Sequence, residues 1–88
     1  MTFYGTLFIL EDMNENMQIT YMQARLVRLA AEQEHIPIPE MAKVFDRFGV
    51  FRYIRDMWEL FHIEGDFAVL EDIKQYLAAR GVPNVQSA

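Results

Sequence analysis

The sequence predicts a small all-α protein, a bundle of four short helices with a β-like arm before them. After residue 20, apolar side chains recur every three or four residues, which is the spacing of one helix face. Prolines and glycines interrupt this spacing at places that suit helix ends. Hydrophobic residues make up 52% of the 88 residues, so we expect the chain to fold as a single domain.

The beginning of the chain lacks the helical spacing. Residues 2–10, TFYGTLFIL, are rich in aromatic and β-branched side chains and favour a strand-like arm, whereas residues 11–18, EDMNENMQ, predict an acidic linker. The arm could pair with another chain or pack back over the helices, or translation could begin at Met13 or Met17. We therefore divide the chain into an arm and linker (1–18), a helical domain (19–82) and a frayed tail (83–88).

The first two predicted helices are separated by prolines. Helix 1 should cover residues 21–35, because Thr20 and Gln23 match a capping box and apolar residues follow at Met22, Leu26, Leu29 and Ala30. Pro37 and Pro39 should end it. Helix 2 should start near Pro39 and stop at Gly49, with Met41, Phe45 and Phe48 on its apolar face.

The last two predicted helices carry the densest apolar faces. Helix 3 should run from Phe51 to Phe61 as one central helix, with Ile54, Met57 and Trp58 on its main stripe. Helix 4 should start after Gly65, with Asp66 as its N-cap, and end at Arg80 before Gly81 and Pro83.

Charge and composition limit the functions that the chain can have. Eight basic and 13 acidic residues give a net charge of −5, which disfavours nonspecific nucleic-acid binding and would suit an acidic mimic of nucleic acid. The sequence has no cysteine, which suits a reducing cytoplasm, and no apolar run near the ~20 residues of a membrane helix. We expect a cytoplasmic protein that does not contact membranes.

No pattern in the sequence indicates catalysis. The carboxylates fall on polar helix faces, where we expect Arg52 to pair with Asp56 and Arg55 with Glu59. His62 and Glu59 could supply two metal ligands, but a helix-end histidine that contacts the last carbonyls explains His62 better. No nucleophile motif or phosphate loop is present. We therefore expect no catalytic residues, no cofactor and no metal site.

Binding surfaces remain as the alternative to catalysis. Helix 2, the Gly49 turn and helix 3 could form a helix-turn-helix, although Trp58 on helix 3 suits a core better than a DNA groove. Aromatic residues off the main stripes are better candidates for contacts with a protein partner. The predicted partner-binding residues are Phe51, Arg52, Tyr53, Arg55 and Tyr76. A homodimer is also possible, because association adds core to a small chain.

A set of core and turn residues resembles a known bacterial family, domain-of-unknown-function family 3791, over residues 21–77. The matching residues are Phe45, Gly49-Val50, Tyr53-Ile54, Phe61-His62, Gly65, Asp72-Ile73 and Tyr76-Leu77. The resemblance implies a small protein without an assigned activity. Some members are encoded beside ADP-ribosyltransferase-like proteins, in arrangements similar to toxin–antitoxin modules. The resemblance therefore implies that this chain is a non-catalytic binder, antitoxin-like or accessory, of a protein such as a toxin encoded nearby.

Overall fold

The computed structural model describes residues 14–82, which form helices and no strand. The helices of this part are α1 (Asn14–Glu34), α2 (Ile38–Arg47), α3 (Val50–Asp56), α4 (Trp58–Phe61) and α5 (Asp66–Ala79). The predicted all-α class is thus confirmed, and four of the five described helices have seven or more residues. The predicted β-like arm and the tail of residues 83–88 lie outside the described residues.

Helix α1 begins earlier than the sequence pattern predicts. Its first residue is Asn14, whose side-chain Oδ1 accepts a hydrogen bond from the Met17 amide at 3.1 Å. This is the contact that an N-cap residue makes with the first helical turn. Residues 14–18 are therefore helical, and the prediction that they form a linker is wrong.

The predicted capping box is also wrong, because both of its residues lie inside α1. The Thr20 hydroxyl group donates to the backbone oxygen of Asn16 at 2.9 Å, one turn back along the same helix. The Gln23 side chain instead donates to the backbone oxygen of Phe51 at 2.8 Å. Gln23 therefore joins α1 to α3.

Prolines and a glycine set the bounds of α2, as predicted. Helix α1 ends at Glu34, the positive φ of 58° at His35 turns the chain, and Pro37 then precedes the first residue of α2, Ile38. After α2, Gly49 adopts a left-handed conformation with φ of 72° and leads into α3. Glycine carries no Cβ and takes this conformation without steric cost.

The prediction of a single helix from Phe51 to Phe61 is wrong, because the helix is interrupted at Met57. Met57 has φ of −96° and ψ of 12°, so it separates α3 from α4. The apolar stripe continues without a gap through this position, which is why its spacing predicts one helix. Asp66 is the first residue of α5, and Gly65 rather than Asp66 is its N-cap.

All five described helices contribute to one apolar core. Leu26 of α1, Phe45 of α2, Ile54 of α3, Phe61 of α4 and Val69 of α5 have no exposed surface. Burial of one such side chain contributes about 1.5–3 kcal/mol. No polar or charged residue is buried within residues 14–82. Over the same range, no helix is long and apolar enough to cross a membrane.

Candidate functional site

Two of the predicted partner-binding residues, Tyr53 and Tyr76, stack on each other between α3 and α5. Their ring centroids are 4.1 Å apart and their planes differ by 28°. The Tyr53 ring also meets the edge of Phe61 at 5.6 Å, and the Arg80 guanidinium lies 3.5 Å from the Tyr76 ring centroid. The structure therefore engages both tyrosines, each half-buried, within the chain itself.

The hydroxyl groups of these two tyrosines have partners as well. Tyr53 donates to the Oδ1 atom of Asp72 at 2.9 Å, and Tyr76 donates to the backbone oxygen of Phe48 at 2.8 Å. The pKa of Tyr53 is raised above 10.0, first by burial and then by the hydrogen bond and negative charge of Asp72. The pair of tyrosines thus ties α5 to the helices that precede it.

The remaining predicted partner-binding residues are placed separately. Phe51 is half-buried and meets the Phe45 ring edge-on, with centroids 5.6 Å apart. Arg52 and Arg55 are exposed, and Arg55 donates to the side-chain oxygen of Asn16 at 2.9 Å. Whether these side chains bind a partner stays a prediction.

The predicted ion pairs Arg52–Asp56 and Arg55–Glu59 do not form. The ion pairs of the described residues join Arg25 to Asp66, Glu40 to Lys43 and Glu71 to Lys74. The prediction fails for Arg55 because its guanidinium crosses to α1 instead of staying on its own helix.

A group of exposed apolar side chains at the connection between α4 and α5 was not predicted. Leu60 is 43% exposed, Ile63 72% and Phe67 67%, and we call these three residues the α4–α5 apolar surface. A signal for Phe67 exists in the sequence, because Lys74 follows it by two helical turns on the same face of α5. A face that carries a lysine is one that points to solvent.

A bidentate ion pair connects this surface to α1. The Nε and Nη2 atoms of Arg25 donate to Oδ2 and Oδ1 of Asp66 at 3.0 and 3.2 Å. Phe67 directly follows Asp66, and Tyr21, which is 54% exposed, precedes Arg25 by one turn of α1. The ion pair therefore holds the start of α5 against the helix that exposes Tyr21.

A shallow, open groove bordered by carboxylates lies along α5, the helix of Phe67, and extends to Glu64 just before that helix. It has a volume of about 410 Å³ and is lined by Glu64, Ala68, Glu71, Asp72 and Gln75. Glu71 lies 3.9 Å from the Lys74 ammonium group, and Asp72 accepts the hydrogen bond from Tyr53. Within the described part of the chain, no cation is within ion-pair distance of Glu64.

His62 interacts with the end of its own helix, as its place in the sequence predicts. Its Nδ1 atom is 2.7 Å from the backbone oxygen of Trp58, and its ring stacks on the Trp58 indole with centroids 5.3 Å apart. Among residues 14–82, no group of three or more histidine, aspartate or glutamate side chains is arranged to hold a metal ion.

The fold and its surface define a small helical domain that exposes apolar side chains beside a groove of carboxylates. The chain belongs to the DUF3791 family, described as a protein of unknown function, whose model matches residues 21–80. The family resemblance noted for residues 21–77 is thereby confirmed. No curated protein and no solved structure matches the chain.

Proposed function

We propose that this protein is a non-catalytic protein-binding module that acts as an antitoxin-like or accessory partner of another bacterial protein. The observation that carries the proposal is the exposure of Ile63 and Phe67, four residues apart in the chain at the α4–α5 connection. Each large apolar side chain that is moved from water into an interface contributes about 1.5–3 kcal/mol. Such a cluster on a small domain is typical of a surface that a partner covers.

The partner class comes from the family resemblance rather than from the geometry. Family members encoded beside ADP-ribosyltransferase-like proteins suggest that a toxin of this class is the partner. A small domain can neutralise such a protein by covering a functional surface, which requires exposed side chains and no catalysis. The described residues provide the exposed side chains.

An acidic inhibitor that mimics nucleic acid is the second candidate function. The groove that Glu64, Glu71 and Asp72 line favours it, because a mimic must present carboxylates where nucleic acid has phosphates. It predicts a complex whose affinity falls steeply with salt. The helix-turn-helix alternative stays a prediction: α3, the helix after the Gly49 turn, has seven residues, and its Arg55 already contacts Asn16.

The test is the solution mass of the protein alone and mixed with the product of the adjacent gene, measured by light scattering. We expect a stoichiometric complex that the double variant Ile63→Ser, Phe67→Ser does not form. Ile38→Ser is the matched control, because Ile38 is an apolar side chain on α2 with a similar exposure of 49%.

Failure of the wild-type chain to bind the adjacent gene product would remove the toxin partner from the proposal. A complex that forms equally well with the Ile63→Ser, Phe67→Ser variant would show that another surface binds. A complex that dissociates at moderate salt and is insensitive to the apolar substitutions would favour the nucleic-acid mimic.

A further inference from the structure

The α4–α5 apolar surface and the acidic groove adjoin each other, and we infer that together they bind a basic amphipathic helix of the partner protein. The inference rests on the proposed function and names the chemistry of the partner segment. Its basis is the juxtaposition of two features at the start of α5 and in the connection before it: exposed Ile63 and Phe67, and the groove lined by Glu64 and Glu71.

The two features adjoin each other on α5, where Phe67 neighbours two residues of the groove. Phe67 and Glu71 are one helical turn apart, so their side chains are neighbours on the helix surface. Ala68, which follows Phe67 directly, lines the groove together with Glu64. A partner segment that covers Phe67 therefore brings its adjoining side chains over the groove.

The negative charge of the groove determines which side chains the partner segment should carry. Its walls carry the carboxylates of Glu64, Glu71 and Asp72, and among residues 14–82 the one ammonium group within ion-pair distance of them, from Lys74, is 3.9 Å from Glu71. Ala68, which has a small side chain, also lines the groove. Lysine and arginine side chains complement this site in charge, and the net charge of −5 attracts a basic partner over longer distances.

Most of the groove residues lie along one helix, and a helical partner segment fits a surface of this shape. Ala68, Glu71, Asp72 and Gln75 recur at helical intervals and extend about 10 Å along α5 at 1.5 Å per residue. A helix that lies alongside α5 can place apolar residues one turn apart on Ile63 and Phe67. The basic residues next to that apolar stripe then meet the groove, as in other helix-in-groove complexes.

The experiment uses two synthetic helical peptides that share one leucine stripe and differ only in carrying lysine or glutamate beside it. Binding of each labelled peptide to the full chain is measured by fluorescence anisotropy at several salt concentrations. We expect the lysine peptide to bind, with an affinity that falls as salt increases, and the glutamate peptide not to bind. Equal affinities, or no binding of the lysine peptide, would overturn the inference.

Charge reversal in the groove provides the second arm. The double variant Glu64→Lys, Glu71→Lys should lower the affinity for the lysine peptide by about tenfold or more, because it replaces attraction with repulsion. The matched control is Glu40→Lys, Asp46→Lys, which reverses two exposed carboxylates on α2 and gives the same net charge. Circular dichroism checks that both variants stay folded. Equal loss of affinity in both variants would show that net charge alone causes the effect, and it would overturn the inference.

These outcomes are distinguishable from a failure of the proposed function. If the complex with the adjacent gene product is lost in Ile63→Ser, Phe67→Ser but unchanged in Glu64→Lys, Glu71→Lys, the module binds protein without using the groove. If the chain alone is a dimer that Phe67→Ser dissociates, a second copy covers the apolar surface. Each of these two results overturns the inference.

Discussion

The Tyr76 hydroxyl group donates a hydrogen bond to the backbone oxygen of Phe48 at the turn between α2 and α3. It also lies 3.4 Å from the backbone oxygen of Gly49. A Cβ atom added to Gly49 would be 3.3 Å from this same hydroxyl oxygen, and the φ of Gly49 is 72°. The turn therefore depends on a glycine within it and on a side chain from α5.

Gly49→Ala should destabilise the protein by about 1–2 kcal/mol, because alanine is strained at this positive φ. The added methyl group also presses on the Tyr76 hydroxyl group. The measurement is the free energy of unfolding in urea. Gly65→Ala is the control: Gly65 has φ of −76° and no atom within 4 Å of an added Cβ, so only the exchange of an N-cap residue remains and a smaller loss of about 0.5 kcal/mol is expected. An equal loss in the two variants would contradict the role given to the turn.

Tyr53 should make the fold sensitive to alkaline pH. Its pKa is raised above 10.0 by burial, then by Asp72, so the folded state holds the proton more tightly than the unfolded state. The resulting stability is complete below pH 10.0 and is lost as the pH rises from there through the folded-state pKa. Titration of tyrosinate absorbance should show a late-ionising group in the wild type that is missing in Tyr53→Phe.

Asp72→Asn removes the negative charge beside Tyr53 but keeps a hydrogen-bond acceptor, so it separates the charge of Asp72 from the larger effects of burial and of the hydrogen bond. The late ionisation should move to lower pH but stay above the ordinary value, because burial remains the larger cause. If Tyr53→Phe and the wild type titrate alike, Tyr53 is not the perturbed group.

The sequence predicted best those features that depend on local backbone chemistry. Pro37, Pro39 and Gly49 marked the ends of α2, since proline and glycine restrict or permit conformations regardless of what packs around them. The start of α1 was not predicted, because Asn14 lies in a polar stretch where no apolar stripe marks the first helical turn. The interruption at Met57 was missed because the apolar spacing continues through it.

The candidate surface was harder to predict than the helices. Tyr53 and Tyr76 lie beside the main apolar stripes and were therefore expected at an interface, yet they stack on each other across two helices. Ile63 lies in the connection between α4 and α5, where no helical spacing of apolar residues predicts which side chains are exposed. The contact of Arg25 with Asp66 joins residues far apart in the chain, and no local pattern could reveal it.

His35→Gly should stabilise the protein by about 0.5–1 kcal/mol, because histidine is held at a φ of 58° after the last turn of α1. The His35 amide still donates to the backbone oxygen of Glu32 at 3.3 Å, and glycine keeps this contact. Thermal unfolding measures the difference. The control Glu34→Gly, within α1, should destabilise by about 1 kcal/mol. A loss of stability in His35→Gly would show that its side chain has a role that the described contacts do not include.

Arg25 and Asp66 should show a coupling free energy of about 1 kcal/mol or less, because their side chains are 42% and 30% exposed and water screens the attraction. The measurement is a double-mutant cycle of Arg25→Ala and Asp66→Ala, with unfolding free energies at low and high salt. Arg25→Lys should lose part of the coupling, because an ammonium group cannot reproduce the two parallel hydrogen bonds.

Since the Arg25–Asp66 contact holds α5 against α1, Asp66→Ala should also weaken binding of a partner at Phe67. The matched cycle of Glu40→Ala and Lys43→Ala, an exposed pair at 3.6 Å within one helix, should leave that binding unchanged. If the Glu40→Ala and Lys43→Ala substitutions weaken binding as much as Asp66→Ala does, the Arg25–Asp66 contact does not position the α4–α5 apolar surface.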